Sequence, residues 1–381
     1  MSAAQLYTAT QAFQKVDSDT SFCTEYDAEY WWRSSGHALA VLLEKAGYSE
    51  HAQYQLLKFV RGILPSLGRA QGGDQQNWLS FMTDDHTPIE LSWDWRTGNA
   101  SPKIRFSIEP IGLDAGTIVD PYNQEAAARL LDYVAQILPA DRMDWLFHFR
   151  QRLTGNMDGA SPEGHSSNEF YAFDLDEKEI VIKAYLFPGF VAKRRAQTNM
   201  DVISDTIRSA PLCTPAKLEA LELFQDYVHD PETPPLEMDM LAIDLLSPAD
   251  SRFKIYFRIR DCSFASIEKA MTLGGRLSPP GTDRGLQKMR RLYHSLLSRK
   301  ARQRMDDSSA PLNRHRTAGV LYNIEFKYGS KYPKVKAYLP VRHWAENEEA
   351  IVSALNDHSH SAQTARGSSF ARYNDAVRTI L

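Results

Sequence analysis

The sequence predicts an α+β fold in which an antiparallel sheet is walled by helices, and three observations carry this. Segments that alternate apolar and polar residues come in pairs split by turn-rich stretches, as β-hairpins require. Amphipathic helical segments, also paired, follow each hairpin. The ββαα unit recurs at about 70–80 residues, which is the logic of a supersecondary repeat. Closed on itself, such a sheet becomes an antiparallel β-barrel surrounded by α-helices, with a chamber inside; an open α+β sandwich is the alternative.

Two helices open the chain. Gly36 to Ala46 is amphipathic and stopped by Gly47. Ser49 caps a second helix, Glu50 to Leu64, with Leu57, Val60 and Leu64 on one face before Pro65. The first hairpin is Pro88 to Trp95 and Lys103 to Glu109, around a Gly/Asn/Ser/Pro turn. Helices over Asn123–Leu138 and Asp141–Leu153 follow. The second unit has strands at Glu169–Leu175 and Glu179–Phe187, then helices at Ala196–Ser209 and Pro215–Val228. The third has strands at Glu237–Leu245 and Arg252–Arg258, then helices at Phe264–Leu273 and Asp283–Arg302. The last has strands at Gly319–Lys327 and Lys334–Leu339, then helices at Arg342–Asn356 and Ala371–Leu381. We read the whole chain, 1–381, as a single domain.

Composition narrows the function. The 381 residues are 43% hydrophobic, and 44 Lys+Arg against 48 Asp+Glu give a net charge of -4. So balanced a chain lacks the basic face a nucleic-acid partner needs, although a basic pocket for one small anion remains open. The N-terminus has no basic region ahead of an apolar core, so it is not a secretory signal. Nothing reaches the roughly 18 apolar residues of a membrane span. Cys23, Cys213 and Cys262 match no zinc or disulfide spacing and read as buried thiols of a reduced, cytoplasmic protein.

The second strand of each hairpin carries cations and tyrosines two apart. Lys183-Ala-Tyr185, Lys254-Ile-Tyr256 and Lys336-Ala-Tyr338 repeat Lys-x-Tyr, Arg252 extends the middle copy, and Arg105 holds the equivalent place in the first hairpin. Residues two apart share a face. On any one strand that face could be solvated. Three copies, interleaved with apolar sets such as Phe253, Ile255 and Phe257, favour an interior Lys/Tyr face. With few carboxylates read onto these faces, converging cations call for an anion, and a diphosphate fits. If it departs from an allylic carbon, the tyrosine rings would stabilise the carbocation without trapping it, while the cations gather the leaving group's charge. A magnesium route would need clustered carboxylates. Asp84-Asp85 lacks a second aspartate at the right spacing and reads as a turn, so no cofactor or metal is expected. His358 and His360 lie in a polar stretch read as a linker, and Gly274–Arg276 lacks a phosphate-loop context.

Glu90 shares a strand face with Ser92 and Asp94, opposite Ile89, Leu91 and Trp93. A lone carboxylate in a basic, aromatic chamber could accept an N–H from an aromatic substrate and take a proton. A strand carboxylate paired with a nearby cation is the plainer alternative.

Taken together, Glu90 in TDDHTPIELSW, Arg105 in RFSIEP, Lys183/Tyr185 in KAYLFP, Arg252/Lys254/Tyr256 in SRFKIYF and Lys336/Tyr338 in KAYLP resemble the fungal dimethylallyltryptophan synthase family of indole prenyltransferases. The early WWRSSG…LLEKAGY segment fits as well. The resemblance implies the ABBA barrel of ββαα repeats, dimethylallyl diphosphate as donor, no required metal, and alkylation of an indole in secondary metabolism. It also implies that Glu90 bonds the indole N–H and that the matched Arg, Lys and Tyr residues bind or shield the diphosphate. Phe81 and Met82 are expected to line the acceptor. The family normally adds one more hairpin after a helix resembling ARYNDAVRTIL, where this chain stops. The expectation is therefore four hairpins, with the last one missing: a barrel that gapes, that a partner chain closes as a homo-oligomer, or that serves as a poorly active diphosphate-binding scaffold. Relatives that prenylate free tryptophan resemble one another in an arginine on the strand equivalent to Leu236–Leu246, and here that strand has no cation. A neutral indole, such as a tryptophan-containing cyclic dipeptide, is the expected acceptor, with a phenolic or polyketide acceptor as the alternative.

Overall fold

Helix formation near the start follows from capping and from one tight contact. Helices α1 (Gln11–Asp17) and α2 (Tyr26–Trp31) lead through a π-turn, Trp32–Gly36, into α3 (His37–Ala46). Only glycine fits at the π-turn's end, because a Cβ on Gly36 would lie 2.5 Å from Trp32 Cε3. Gly47 ends α3 in the left-handed region at φ 88°. Ser49 then caps α4 (Glu50–Ile63), its hydroxyl accepting from the Ala52 N–H at 3.3 Å. Leu57, Val60 and Leu64 are buried as expected. The computed structural model describes residues 9–19, 25–72, 77–96, 100–154, 164–307, 314–360 and 366–380; Cys23 and turn residues 97–99 fall outside these.

The expected strands form with bounds moved by a residue or two. They are β1 (Ile89–Asp94), β2 (Lys103–Ile108), β3 (Glu169–Leu175), β4 (Ile180–Leu186), β5 (Glu237–Asp244), β6 (Arg252–Ile259), β7 (Val320–Lys327) and β8 (Lys334–Tyr338). Their hydrogen-bonded order among the described residues is that of the chain, β1 to β8. The helices after β2 are α5 (Glu125–Ala135) and α6 (Ala140–Leu153). Those after β4 are α7 (Gly189–Arg195), α8 (Asn199–Arg208) and α9 (Glu219–Val228). Those after β6 are α10 (Phe264–Met271), α11 (Thr282–Leu296) and α12 (Arg299–Asp307). The last are α13 (Val341–Trp344), α14 (Glu348–His360) and α15 (Arg366–Ile380).

The helix expected over Ala196–Ser209 forms as α8, and α7 ahead of it was not expected; Ala196 takes φ 51° and Thr198 caps α8 with a capping box to Asp201, which separates the two. Other expected helices are split. The helix expected over Asp283–Arg302 breaks at Leu297, which is extended, and restarts where Ser298 Oγ accepts from Ala301 N at 3.1 Å. Ala345 is likewise extended between α13 and α14. His358 and His360 belong to α14, so the linker expected there is a helix.

The chain divides into two compact units. The first comprises Met1–Met143, Gly164–Ala184 and Ala362–Leu381. In it β1 pairs with β2 and β2 with β3, antiparallel. Phe106 stacks on Phe173 at 4.7 Å, and Phe59 of α4 meets Phe173 edge-on at 5.6 Å, so the strands' apolar face turns to the helices. Tyr48 ties two strands together, its hydroxyl accepting from Ile104 N at 3.0 Å and donating to Leu175 O at 2.7 Å.

The second unit comprises Asp144–Glu163 and Tyr185–Ser361. Here β5 to β8 pair antiparallel in sequence, with one bulge between Met238 and Met240. Phe253, Ile255 and Phe257 are wholly buried. Trp145 of α6 stacks on Phe253 at 5.5 Å, and Phe224 of α9 meets Phe257 at 5.3 Å. The apolar strand set therefore faces helices, and the Lys/Tyr set lies on the other face.

Candidate active site

In the first unit the register fixes what surrounds Glu90. It stands opposite Ser107 of β2, and Ser107 stands opposite Ala172 of β3. Both neighbours are small. Glu90 reaches solvent, yet enough protein surrounds it that burial raises its carboxyl above the ordinary range.

One register step away the face becomes charged. Arg105 lies opposite Ser92 and Asp174. Its Nη2 donates to Asp94 Oδ2 at 2.6 Å, and its Nε lies 3.1 Å from Asp174 Oδ1. Lys183 Nζ pairs with the same Asp174 oxygen at 2.5 Å.

Phe81 stacks on His165 at 4.8 Å and meets Phe170 edge-on at 5.5 Å. Its backbone is held by Glu109, a fully buried carboxylate that sequence reasoning missed. Glu109 accepts from Trp78 Nε1 at 2.9 Å, Ser80 Oγ at 2.6 Å and Phe81 N at 3.2 Å, and also from Ser167 Oγ. Burial nonetheless pushes its carboxyl up. Met82 follows, its N–H donating to Ser80 Oγ at 3.2 Å. Asp85 accepts from Thr83 Oγ1 at 2.6 Å and Thr87 N at 3.1 Å, the turn role read from the sequence.

In the second unit Arg252, Lys254, Tyr256 and Arg258 share one face of β6. Asp244, whose side chain is fully buried, accepts from Arg252 Nε at 2.5 Å and from Lys254 Nζ. Glu325 accepts from Arg252 Nη1 at 3.2 Å and from Lys336 Nζ at 2.7 Å. Burial alone would raise both carboxyls, but the cations hold them below the ordinary range. Lys254 is buried, whereas the Arg252 and Lys336 side chains are 32% and 49% exposed and so remain within reach of a ligand.

Beside this charged row lies a row of tyrosines. Tyr185 and Tyr256 have ring centroids 5.7 Å apart, and Tyr256 and Tyr338 are 6.1 Å apart. Asn323, opposite Tyr256, donates from Nδ2 to the Tyr338 hydroxyl at 3.0 Å. Burial pushes the Tyr256 hydroxyl well above its ordinary value, so it stays a neutral donor. Three of the four tyrosine and asparagine side chains here were expected from Lys-x-Tyr; Asn323 was not.

The expectation of few carboxylates on these faces is corrected. Asp94, Asp174, Asp244 and Glu325, on the first strand of each hairpin, pair with the cations of the second. Among the described residues, no group of three or more His, Cys, Asp or Glu is placed to hold a metal ion. No helix among them is long and apolar enough to cross a membrane.

The chain as a whole has known relatives. The family profile described as tryptophan dimethylallyltransferase matches residues 27–370, and the chain belongs to that family. It is an aromatic prenyltransferase of the dimethylallyl-transferring type. It is 33% identical over 346 residues to 4-O-dimethylallyl-L-tyrosine synthase of Claviceps purpurea, covering 89% of this chain and 78% of that protein. It is 32% identical to 7-dimethylallyltryptophan synthase of Aspergillus fumigatus, covering 86% of this chain and 72% of the other. Among solved structures, AnaPT from Neosartorya fischeri superposes with a TM-score of 0.80 at 23% identity, over 96% of this chain and 88% of that one. That likeness shows the fold, the antiparallel ββαα fold of these prenyltransferases.

Proposed function

We propose that this chain transfers the dimethylallyl group of dimethylallyl diphosphate to the ring of an indole acceptor without a metal ion. The observation that carries this is the cationic row of Arg252, Lys254 and Lys336 lying beside Tyr185, Tyr256 and Tyr338 within one unit. In this reading the allylic C–O bond breaks and pyrophosphate leaves with the electron pair. The cations stabilise its growing charge. The tyrosine faces hold the allylic cation and keep water away. A ring carbon of the indole forms the new C–C bond, and the ring proton then leaves, directly or through a relay, to Glu90. Glu90 also accepts the indole N–H, which makes the ring more nucleophilic. We assign Arg105 and Lys183 the same anion-binding role, and Phe81 and Met82 the lining of the acceptor.

For the acceptor we propose a neutral indole such as a tryptophan-containing cyclic dipeptide. β5 carries no cation, and Arg316, which lies near it, is paired with Asp239 at 3.1 Å. A phenolic acceptor is the second reading, favoured by the 33% relative named for tyrosine; Glu90 would then accept a phenol O–H. The family profile's span across residues of both units supports one catalytic domain. The unpaired thiols of Cys213 and Cys262 support a cytoplasmic location.

The test is incubation with dimethylallyl diphosphate and a panel of tryptophan, cyclic dipeptides and phenolics, followed by mass spectrometry. The expected result is one C5 unit gained on an indole. Gain on phenolics alone would favour the second reading. Donor binding with no product on any acceptor would leave a binding scaffold and overturn the proposal.

A further inference from the structure

The paired charges recur with one geometry. Arg105 faces Ser92 and takes its acid from Asp94, two residues further along β1. Lys254 faces Ala242 and takes Asp244, two residues further along β5. Lys336 faces Asn323 and takes Glu325, two residues further along β7. Three hairpins thus place an acid diagonally across from the cation, and the remaining one also pairs its cation, Lys183, with a first-strand acid, Asp174.

We propose that Asp244 and Glu325 are positioning residues for the donor, holding Arg252, Lys254 and Lys336 as one charged row before the diphosphate arrives. This rests on the diphosphate reading given above. Three cations against two carboxylates leave the row one positive charge in excess, so it still attracts an anion without the self-repulsion of three adjacent cations. Lys254 is buried, and without an acid beside it burial would favour its neutral form, which cannot stabilise a leaving pyrophosphate. Arg252 commits Nε to Asp244 and Nη1 to Glu325, which fixes its guanidinium plane and leaves Nη2 for another acceptor.

The test compares the unmodified chain with Asp244→Asn and Glu325→Gln, using inorganic pyrophosphate in calorimetry and steady-state kinetics across pH. The charged groups facing Lys254 are Asp244 from β5, Arg252 on its own strand, Glu325 from β7 and Lys336 from β8. With Asp244 neutralised, two cations and one acid remain, so the lysine loses its proton at lower pH. Asp244→Asn should lower kcat about tenfold at neutral pH and add a fall in activity towards pH 9 that the unmodified chain lacks, within the range for acid–base groups. Glu325→Gln should raise the donor KM several-fold without a new pH limb, because Lys336 is half exposed. A merely structural role would lower Tm with the same pH profile in all three proteins. If the unmodified chain binds pyrophosphate and both variants keep its kcat, KM and pH profile, the inference fails. If the unmodified chain does not bind pyrophosphate at all, the diphosphate reading itself fails.

Discussion

Replacing Glu90 by glutamine keeps a hydrogen-bond acceptor in place but removes its charge and its capacity to take a proton. The small neighbours Ser107 and Ala172 accommodate the isosteric amide without repacking. A hydrogen bond to a charged acceptor contributes about 1.5–3 kcal/mol net, and a neutral one about 1 kcal/mol. The difference, about 1.5 kcal/mol, alone corresponds to about a tenfold loss in kcat/KM on an indole acceptor, and loss of the proton-accepting role adds to it. The matching assay uses the same acceptor with its indole nitrogen methylated. The unmodified chain should prefer N–H over N–CH3 by about 50-fold, Glu90→Gln by only about fivefold, and Glu90→Ala not at all. The pH profile gives an independent reading. Because burial raises the Glu90 carboxyl and activity requires the carboxylate, activity should climb with pH through a midpoint above the ordinary glutamate value. Glu90→Gln should lack that acidic limb. If Glu90→Gln retains full activity and an undiminished N–H preference, Glu90 is a structural carboxylate and the reasoning is refuted.

Other predictions follow from the same site. Turnover should survive EDTA, and loss of activity on chelation restored by Mg²⁺ would contradict the cation-based account. Free tryptophan should show a lower kcat/KM than a neutral tryptophan-containing cyclic dipeptide; the reverse order would mean that another cation, for which Arg258 and Arg316 are the first candidates, receives a carboxylate. Tyr256→Ala should open the tyrosine row between Tyr185 and Tyr338, raising the dimethylallyl alcohol formed per product at least severalfold, as followed by chromatography. An unchanged product-to-alcohol ratio would remove Tyr256 from the cation's surroundings.

Much of this was legible because strand periodicity and the Lys-x-Tyr repeat are local signals. Every expected strand formed, and Lys183, Lys254 and Lys336 each pair with an acid on the first strand of their hairpin. What escaped were relations between strands. Asp244 and Lys254 are ten positions apart on different strands, and only the register makes them partners. Glu109 reads as the tail of a strand, and its role depends on a loop 28 to 31 residues earlier folding back over it. Helix α7 was missed, and the helix breaks at Leu297 and Ala345 hung on single backbone conformations that amphipathic periodicity does not reveal.

The most direct test of the central claim is a crystal structure with a sulfur-substituted, unreactive analogue of dimethylallyl diphosphate. The account predicts diphosphate oxygens within hydrogen-bond distance of Arg252, Lys254 and Lys336, with the allyl chain against Tyr185, Tyr256 and Tyr338. A diphosphate bound elsewhere, with these cations touching only Asp244 and Glu325, would contradict it.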